Sequence, residues 1–329
     1  MLSYLVRRVS LAILTIFVVS VVSFGIILLP PGDFIDAWSN KMRQAGMEVA
    51  AQTKEAYRLQ YALDKPVYIQ YAKWMGLILR GEYGFSIYYN QPVEDVIGDR
   101  LGLTVVVSLA AEILIWLLAL PIGIYAAVRQ YSIGDYVFTV VAFIGVGVPS
   151  FLLALIFMYL SLVWFDADIG GLFSQAYLVA PWSWARVVDL LKHLPLPALV
   201  LGLAGTSQMI RVMRANLLDE LRKPYVITAR AKGLSETRLI LKYPVRVALN
   251  PFISTVGYLL PYIVSGSIIV SVVMSLPTVG PVLLTALLAQ DMYLGGAIIL
   301  MLSVLTVLGT LLSDLLLMWV DPRIRVEGR

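Results

Sequence analysis

The 329-residue chain contains no cysteine and a single histidine, His193. Disulfides, thiolate nucleophiles and cysteine-ligated iron–sulfur clusters are therefore excluded, and one imidazole cannot build a metal site alone. Charge is also scarce: Asp, Glu, Lys and Arg together make up 14% of the residues, and 25 basic against 21 acidic side chains leave a net charge of +4. With so small a sum, where the charges lie matters more than their total, and no nucleic-acid partner is expected. The sequence has no Gly-x-x-x-x-Gly-Lys-Ser/Thr phosphate loop, so the chain itself is not expected to bind or hydrolyse ATP.

What is abundant is apolar surface. Hydrophobic residues make up 60% of the chain and its mean hydropathy is +0.84, more than a soluble core of this size can hide. Lipid must therefore be part of its solvent. A bilayer core about 30 Å thick takes about 20 apolar residues per helical crossing. Six such runs occur, over residues 9–29, 101–128, 136–164, 195–215, 251–275 and 292–319. Backbone groups cannot stay unpaired in hydrocarbon, which restricts crossings to helices or a closed barrel. The run from Ile113 to Ile124 lacks the two-residue alternation of barrel strands. The expected fold class is all-α, a polytopic membrane protein of about six transmembrane helices. Arg7 and Arg8 precede the first run, which is longer than a signal-peptide core and ends in Pro30-Pro31-Gly32, so it reads as a retained signal anchor.

The loops set the orientation. Between Arg211 and Arg246 lie nine basic residues, including Arg222, Lys223, Arg230, Lys232, Arg238 and Lys242, against Asp219, Glu220 and Glu236. The positive-inside bias makes this loop cytoplasmic. Six crossings then place both termini in the cytoplasm of a cell-membrane protein, in agreement with Arg129 and with Arg323, Arg325 and Arg329 in the tail. The outside receives 30–100, 165–194 and 276–291. The first of these contains helix-like stretches at Glu48 to Leu63 and Val67 to Leu79, with Pro66 suited to a first turn, and reads as a small extracytoplasmic helical cap. The expected organisation is an N-terminal helix (1–29), this cap (30–100), a five-helix core (101–320) containing the loop 216–250, and a tail (321–329).

Within that loop Pro224 can start a helix, Gly233 can take the left-handed conformation that ends it, Ser235 can cap the next helix and Pro244 interrupts that one. The product is a helix-turn-helix with a basic rim. The run Tyr225-Val226-x-Thr228-Ala229-Arg230-Ala231-Lys232-Gly233-Leu234-Ser235 resembles the coupling loop of ABC importer permeases of the dipeptide, oligopeptide and nickel class. The likeness extends to Arg80-Gly81-Glu82-Tyr83-Gly84-Phe85-Ser86 with Pro92-Val93 and Arg100-Leu101, and to His193-Leu194-x-Leu196-Pro197-Ala198-Leu199. Met213-Arg214-Ala215-Asn216 and the ending Asp314-Leu315-Leu316 with Asp321-Pro322-Arg323-Ile324-Arg325 complete it. Two departures stand out. Ile227-Thr228-Ala229 replaces the general importer signature Glu-Ala-Ala, and Pro277-Thr278-Val279-Gly280 replaces Pro-Gly-x-Gly.

The resemblance implies a type I importer permease that forms half of the translocation pathway. Its coupling loop, with Tyr225, Thr228, Ala229, Arg230, Ala231, Lys232, Gly233 and Leu234, would insert into a groove on a separate ATPase subunit. It further implies a second, related permease as heterodimer partner, two ATP-binding subunits that hold ATP and Mg, and an extracytoplasmic solute-binding protein. No cofactor or metal is expected in this chain. Peptides lead as cargo, with oligosaccharides or nickel complexes as alternatives.

Glu112 is the most conspicuous charge within a run; an acid there costs about 2.5–3.5 kcal/mol on insertion scales and needs a partner. It reads as a hydrogen-bonded packing residue. Asp314 is expected to reach the interface or pair with Arg323 or Arg325, and His193 to be a cap or surface residue. Gly145, Gly147 and Pro149 loosen one run, and Gly257, Pro261 and Gly266 another. With Ser265, Ser267 and Ser271 as polar groups among apolar ones, Gly257 and Pro261 mark a candidate translocation path. Trp164, Trp182 and Trp184 suit an outer aromatic belt and Trp319 an inner one. Two rival classes are weaker. An ion-driven secondary transporter would need a companion for Glu112, and a membrane hydrolase would need a Ser/His or metal constellation.

Overall fold

The structure, a computed structural model of the chain, describes residues 2–28, 34–44, 46–165, 170–255 and 268–320. Among them, helices are α1 (Leu2–Ile27), α2 (Phe34–Gln44), α3 (Ala51–Tyr61), α4 (Val67–Ile78), α5 (Val93–Val128), α6 (Ile133–Gly147), α7 (Ser150–Phe165) and α8 (Trp184–His193). They continue as α9 (Pro195–Leu221), α10 (Pro224–Ala231), α11 (Glu236–Lys242), α12 (Pro244–Ala248), α13 (Asn250–Thr255), α14 (Val279–Leu288) and α15 (Met292–Val320). Two-residue strands Phe85–Ser86 and Gln91–Pro92 pair antiparallel ahead of α5.

Among the described residues, four helices are long and apolar enough to cross a membrane: Val6–Ile27, Val93–Val128, Pro195–Leu221 and Met292–Trp319. The expected run 136–164 is not one straight helix, because α6 and α7 meet at an angle of 106° and make a fifth crossing only if the bent pair is one span. The break has a local cause. Pro149 disfavours the helical region for the residue before it, and Val148 is extended at φ −94° and ψ 128°. Most of the expected run 251–275 lies outside the described residues; on either side of that stretch, Asn250–Thr255 and 268–273 are helical. A count of six is therefore not reached among the described residues.

The chain divides into two compact units. One comprises Leu103–Pro277 with Leu308–Arg329 and the first five residues. Here α6 and α7 pack on α9, and two apolar clusters share α5 and α9. The first includes Val107, Ala111, Ala198 and Leu201 with Leu172 and Leu190; the second includes Ile115, Ala119, Met209 and Met213. Small residues set the helix spacing. A Cβ on Gly123 would stand 2.6 Å from Cβ of Met213, and one on Gly145 would strike Ser207, so Gly145 serves close packing. Glu112 has the partners it requires: Trp116 donates Nε1–H to its Oε1 at 2.7 Å, and the Thr255 hydroxyl bonds to the same oxygen.

The other unit comprises Val6–Gly102 and Thr278–Val307. On α1, Phe24 stacks against Trp74 of α4 at 5.3 Å, and Ser20 hydrogen-bonds Tyr71 at 2.7 Å. The segment between α1 and α5 has its own small core of Ile35, Trp38, Met42 and Ile87, so it is built of packed short helices. Asp291, fully buried, ties this segment to α15. Its Oδ2 accepts the Ser86 hydroxyl at 2.5 Å and the Tyr88 amide at 2.9 Å, and its Oδ1 accepts the Leu294 amide at 3.4 Å.

The close approach of α5 to α9 gives a test. Gly123→Leu is expected to destabilise the detergent-solubilised chain by about 1–3 kcal/mol through overpacking against Met213. Gly102→Ala, in the same helix with nothing within 4 Å of the added carbon, is expected to be neutral or stabilising. Thermal melting of the two variants checks both.

Candidate functional site

The basic loop continues directly from a long helix. Arg222 and Lys223 alone separate α9 from α10, and Pro224 occupies the first helical position of α10, where its missing N–H costs no hydrogen bond. The helix stops after eight residues because Gly233 turns the chain at φ +80°. Its amide bonds back to the Arg230 carbonyl at 3.0 Å. Ser235 stands at the N-cap position of α11, though its side chain makes no capping bond. Pro244 again takes the first position of a helix and begins α12.

Two faces follow from the helical period. Val226, Ala229, Leu239 and Ile240 are buried and join Met213 and Leu217 of α9, Ala119 of α5 and Phe252 of α13 in one cluster. Tyr225 and Leu234 pack at its margin. Tyr225 also donates its hydroxyl to Glu220 Oε2 at 2.5 Å. The opposite face is exposed and carries Ile227, Thr228, Arg230, Ala231, Lys232 and Gly233. Of the eight residues singled out in the sequence, Ala229 and Leu234 therefore hold the hairpin to the helices, and Tyr225 bridges the two faces. Five remain on the outer surface.

Arg230 and Glu236 pair across the glycine turn, Nη2 to Oε2 at 3.0 Å. The Arg230 guanidinium beside it holds the Glu236 carboxyl below its ordinary range. Both are about half exposed, so the pair adds little to stability and chiefly sets the turn. Ile227 is the residue that sequence reading passed over. It is 57% exposed at the centre of a charged surface. The signal was available: a β-branched apolar side chain in an otherwise basic loop, one position away from the buried set.

A second feature lies at the root of the hairpin. Arg214 of α9 grips Asp135 of α6 with both arms, Nε to Oδ1 and Nη2 to Oδ2, each at 2.8 Å. Asp135 also accepts the Tyr131 amide at 3.0 Å, and Ser132 caps the helix by accepting the Asp135 amide at 3.2 Å. A bidentate guanidinium–carboxylate pair fixes direction as well as distance. The start of α6 is thereby fixed to the last turns of α9, directly before the hairpin. Sequence reading began the third apolar run at residue 136 and so passed over Asp135, although Ser132-x-x-Asp135 is a capping pattern.

The candidate path is less accessible. Gly257, Pro261, Ser265 and Ser267 lie outside the described residues, and so does Gly266. Ser271 is described and is buried at 2% exposure. Arg323 and Arg325, expected near Asp314, also lie outside the described residues.

Comparison with known proteins follows the same order along the chain. Residues 119–326 match the family described as binding-protein-dependent transport system inner membrane component. Residues 1–110 match the N-terminal region of such membrane components. The oligopeptide transport system permease protein AppB of Bacillus subtilis (strain 168) is 32% identical over 98% of this chain and 99% of its own length. A putative peptide permease protein of Brucella ovis is 33% identical over 99% and 100%. The glutathione transport system permease protein GsiC of Escherichia coli O1:K1 / APEC is 31% identical over 99% and 100%.

Removing one arm of the Asp135–Arg214 pair should be costly. Asp135→Asn is expected to destabilise the chain by about 2 kcal/mol or more, below the ~3–5 kcal/mol of a fully buried pair because the guanidinium is partly exposed. Glu236→Gln is expected to cost under about 1 kcal/mol. Unfolding of the two variants in mild detergent distinguishes them.

Proposed function

This chain belongs to the family of inner membrane components of binding-protein-dependent transport systems, and on that premise we propose that it is one of two permease subunits in an ATP-driven peptide importer. The observation that carries the reading is the hairpin of α10 and α11, whose buried face is continuous with the cores of α5 and α9. Its outer face is built to be gripped: small residues at 231 and 233, cations at 230 and 232, and an apolar Ile227 for a pocket.

In this reading each of two ATP-binding subunits, which hold ATP and Mg, takes one permease hairpin in a surface groove. The other permease is a related chain. Closure of the nucleotide-bound ATPase pair pulls on the hairpin, and the packed α9 carries that displacement past the Arg214–Asp135 clamp into α6. Differential docking in the open and closed ATPase states biases the inward- and outward-facing permease, as coupling between two sites requires. A solute-binding protein delivers cargo from outside to the helical segment 30–100. The basic loop and both termini lie in the cytoplasm, as the distribution of Lys and Arg favours. Relatives named for oligopeptides, peptides and glutathione, itself a tripeptide, support peptides over oligosaccharides or nickel complexes as cargo.

Gly233 provides the sharpest test. Its φ of +80° strains any residue with a Cβ, although nothing within 4 Å would meet that carbon. Gly233→Val should cost about 1–2 kcal/mol at the turn and distort the outer face without disturbing the spans. In vesicles holding the complete transporter, ATP-driven peptide uptake is expected to fall to a small fraction of the parent while membrane insertion is unchanged. Full uptake by the variant would contradict the proposal.

A further inference from the structure

The short helix α8, Trp184–His193, carries its polarity in the reverse of the usual sense. Arg186 and Asp189 point inward. Arg186 is buried between the rings of Phe173 and Trp182, at 4.7 and 4.4 Å from their centroids, and donates Nη1–H to the Ala180 carbonyl at 2.6 Å. Asp189, also buried, accepts the Ser174 amide at 2.8 Å and the Ser174 hydroxyl at 2.5 Å. His193 donates Nδ1–H to the Asp189 carbonyl at 2.8 Å, so it is a half-buried link and not a free surface residue.

The outward face is apolar. Trp184, Val188 and Leu191 follow one another at helical spacings of four and three, and Trp184 and Leu191 are 78% and 56% exposed. Just before the helix, Leu178, Val179 and Trp182 are exposed as well, Val179 at 97%. Such a face against water would lose the whole benefit of burial. Its position says what covers it. α8 is separated from α9 by Leu194 alone, and α7, which packs on α9, exposes Tyr159, Leu162, Val163 and Trp164 in its last turns. The apolar stripe of α8 thus lies near the end of the α9 span, beside a membrane-facing surface.

We propose that α8 and the loop before it lie in the boundary region of the bilayer, with Trp184, Val188 and Leu191 bound among phospholipid acyl chains and Lys192 reaching the headgroups. An interfacial helix of this kind sinks its apolar face about 5–10 Å below the headgroup boundary. Lys192, on the flank of the stripe, can lay its stem along apolar surface and keep its ammonium at the phosphates. The helix would then hold the end of α9 opposite to the hairpin at a fixed depth. This inference rests on the chain spanning a membrane. It is independent of the cargo, of the ATPase reading and of which leaflet is involved.

The absence of native cysteine makes the test direct. Single variants Trp184→Cys, Val188→Cys, Leu191→Cys, Ala185→Cys and Lys192→Cys carry a nitroxide in the full-length chain. The chain is reconstituted in phosphatidylethanolamine–phosphatidylglycerol vesicles, alone and assembled with its partner subunits. Collisions with lipid-soluble oxygen should dominate at 184, 188 and 191, at a depth of about 5–10 Å, and collisions with a water-soluble nickel chelate should gain at 185 and 192. Val179→Cys reports on the loop should a helix variant fold poorly, and is expected to favour oxygen too. Nickel dominance at 184, 188, 191 and 179 would overturn the proposal, because the face would then be in water. Low collision rates with both reagents, alone or on assembly, would also overturn it, because a protein surface would then be the cover.

Discussion

The contact on which the rest depends is the burial of Val226, Ala229, Leu239 and Ile240 against Met213, Leu217 and Ala119. A loop of basic residues outside the membrane has little reason to be rigid. In this one the two short helices share a core with α5 and α9. Burying an aliphatic side chain of this size contributes about 1.5–3 kcal/mol. Several such side chains offset part of the conformational freedom that a solvated hairpin would keep. In the proposed assembly this shared core is what passes a displacement of the outer face to the long helices.

Around that core the polar contacts have a directional task. Arg214 and Asp135 lock α6 to α9 by paired bonds, and Thr255 joins α13 to Glu112 of α5. In a bilayer the apolar effect does little to choose between one helix neighbour and another, because lipid tails are as apolar as leucine. Close packing at Gly123 and Gly145, with a few buried polar pairs, makes the choice instead. The acid that looked costly in the sequence is one of these pairs.

Much of this was legible in the sequence for physical reasons. Apolar length identified the long helices, because hydrocarbon thickness sets it. Pro224 and Gly233 marked the start and end of α10, because each has a backbone property that few alternatives share. What stayed hidden was rotation and bending. Ala229 was placed among the docking residues although it faces the core, since one short helix in a basic loop gives too few apolar positions to set a phase. The break at Val148–Pro149 was read as a loosened helix because a proline can bend or end one, and the sequence does not say which. The inverted face of α8 was hidden for a related reason: Arg186 and Asp189 look solvated until Phe173, Trp182 and Ser174 are placed around them.

Coupling through a shared core requires hairpin and helices to open as one cooperative unit. Amide hydrogen exchange of the reconstituted chain measures it, since exchange reports the opening of each segment. Protection of Val226–Ala231 and Leu239–Lys242 is expected to match that of Met209–Leu217, with the segments opening together. Rapid exchange in the hairpin beside a protected α9 would mean that the loop moves independently, and the account of coupling through a shared core would be wrong.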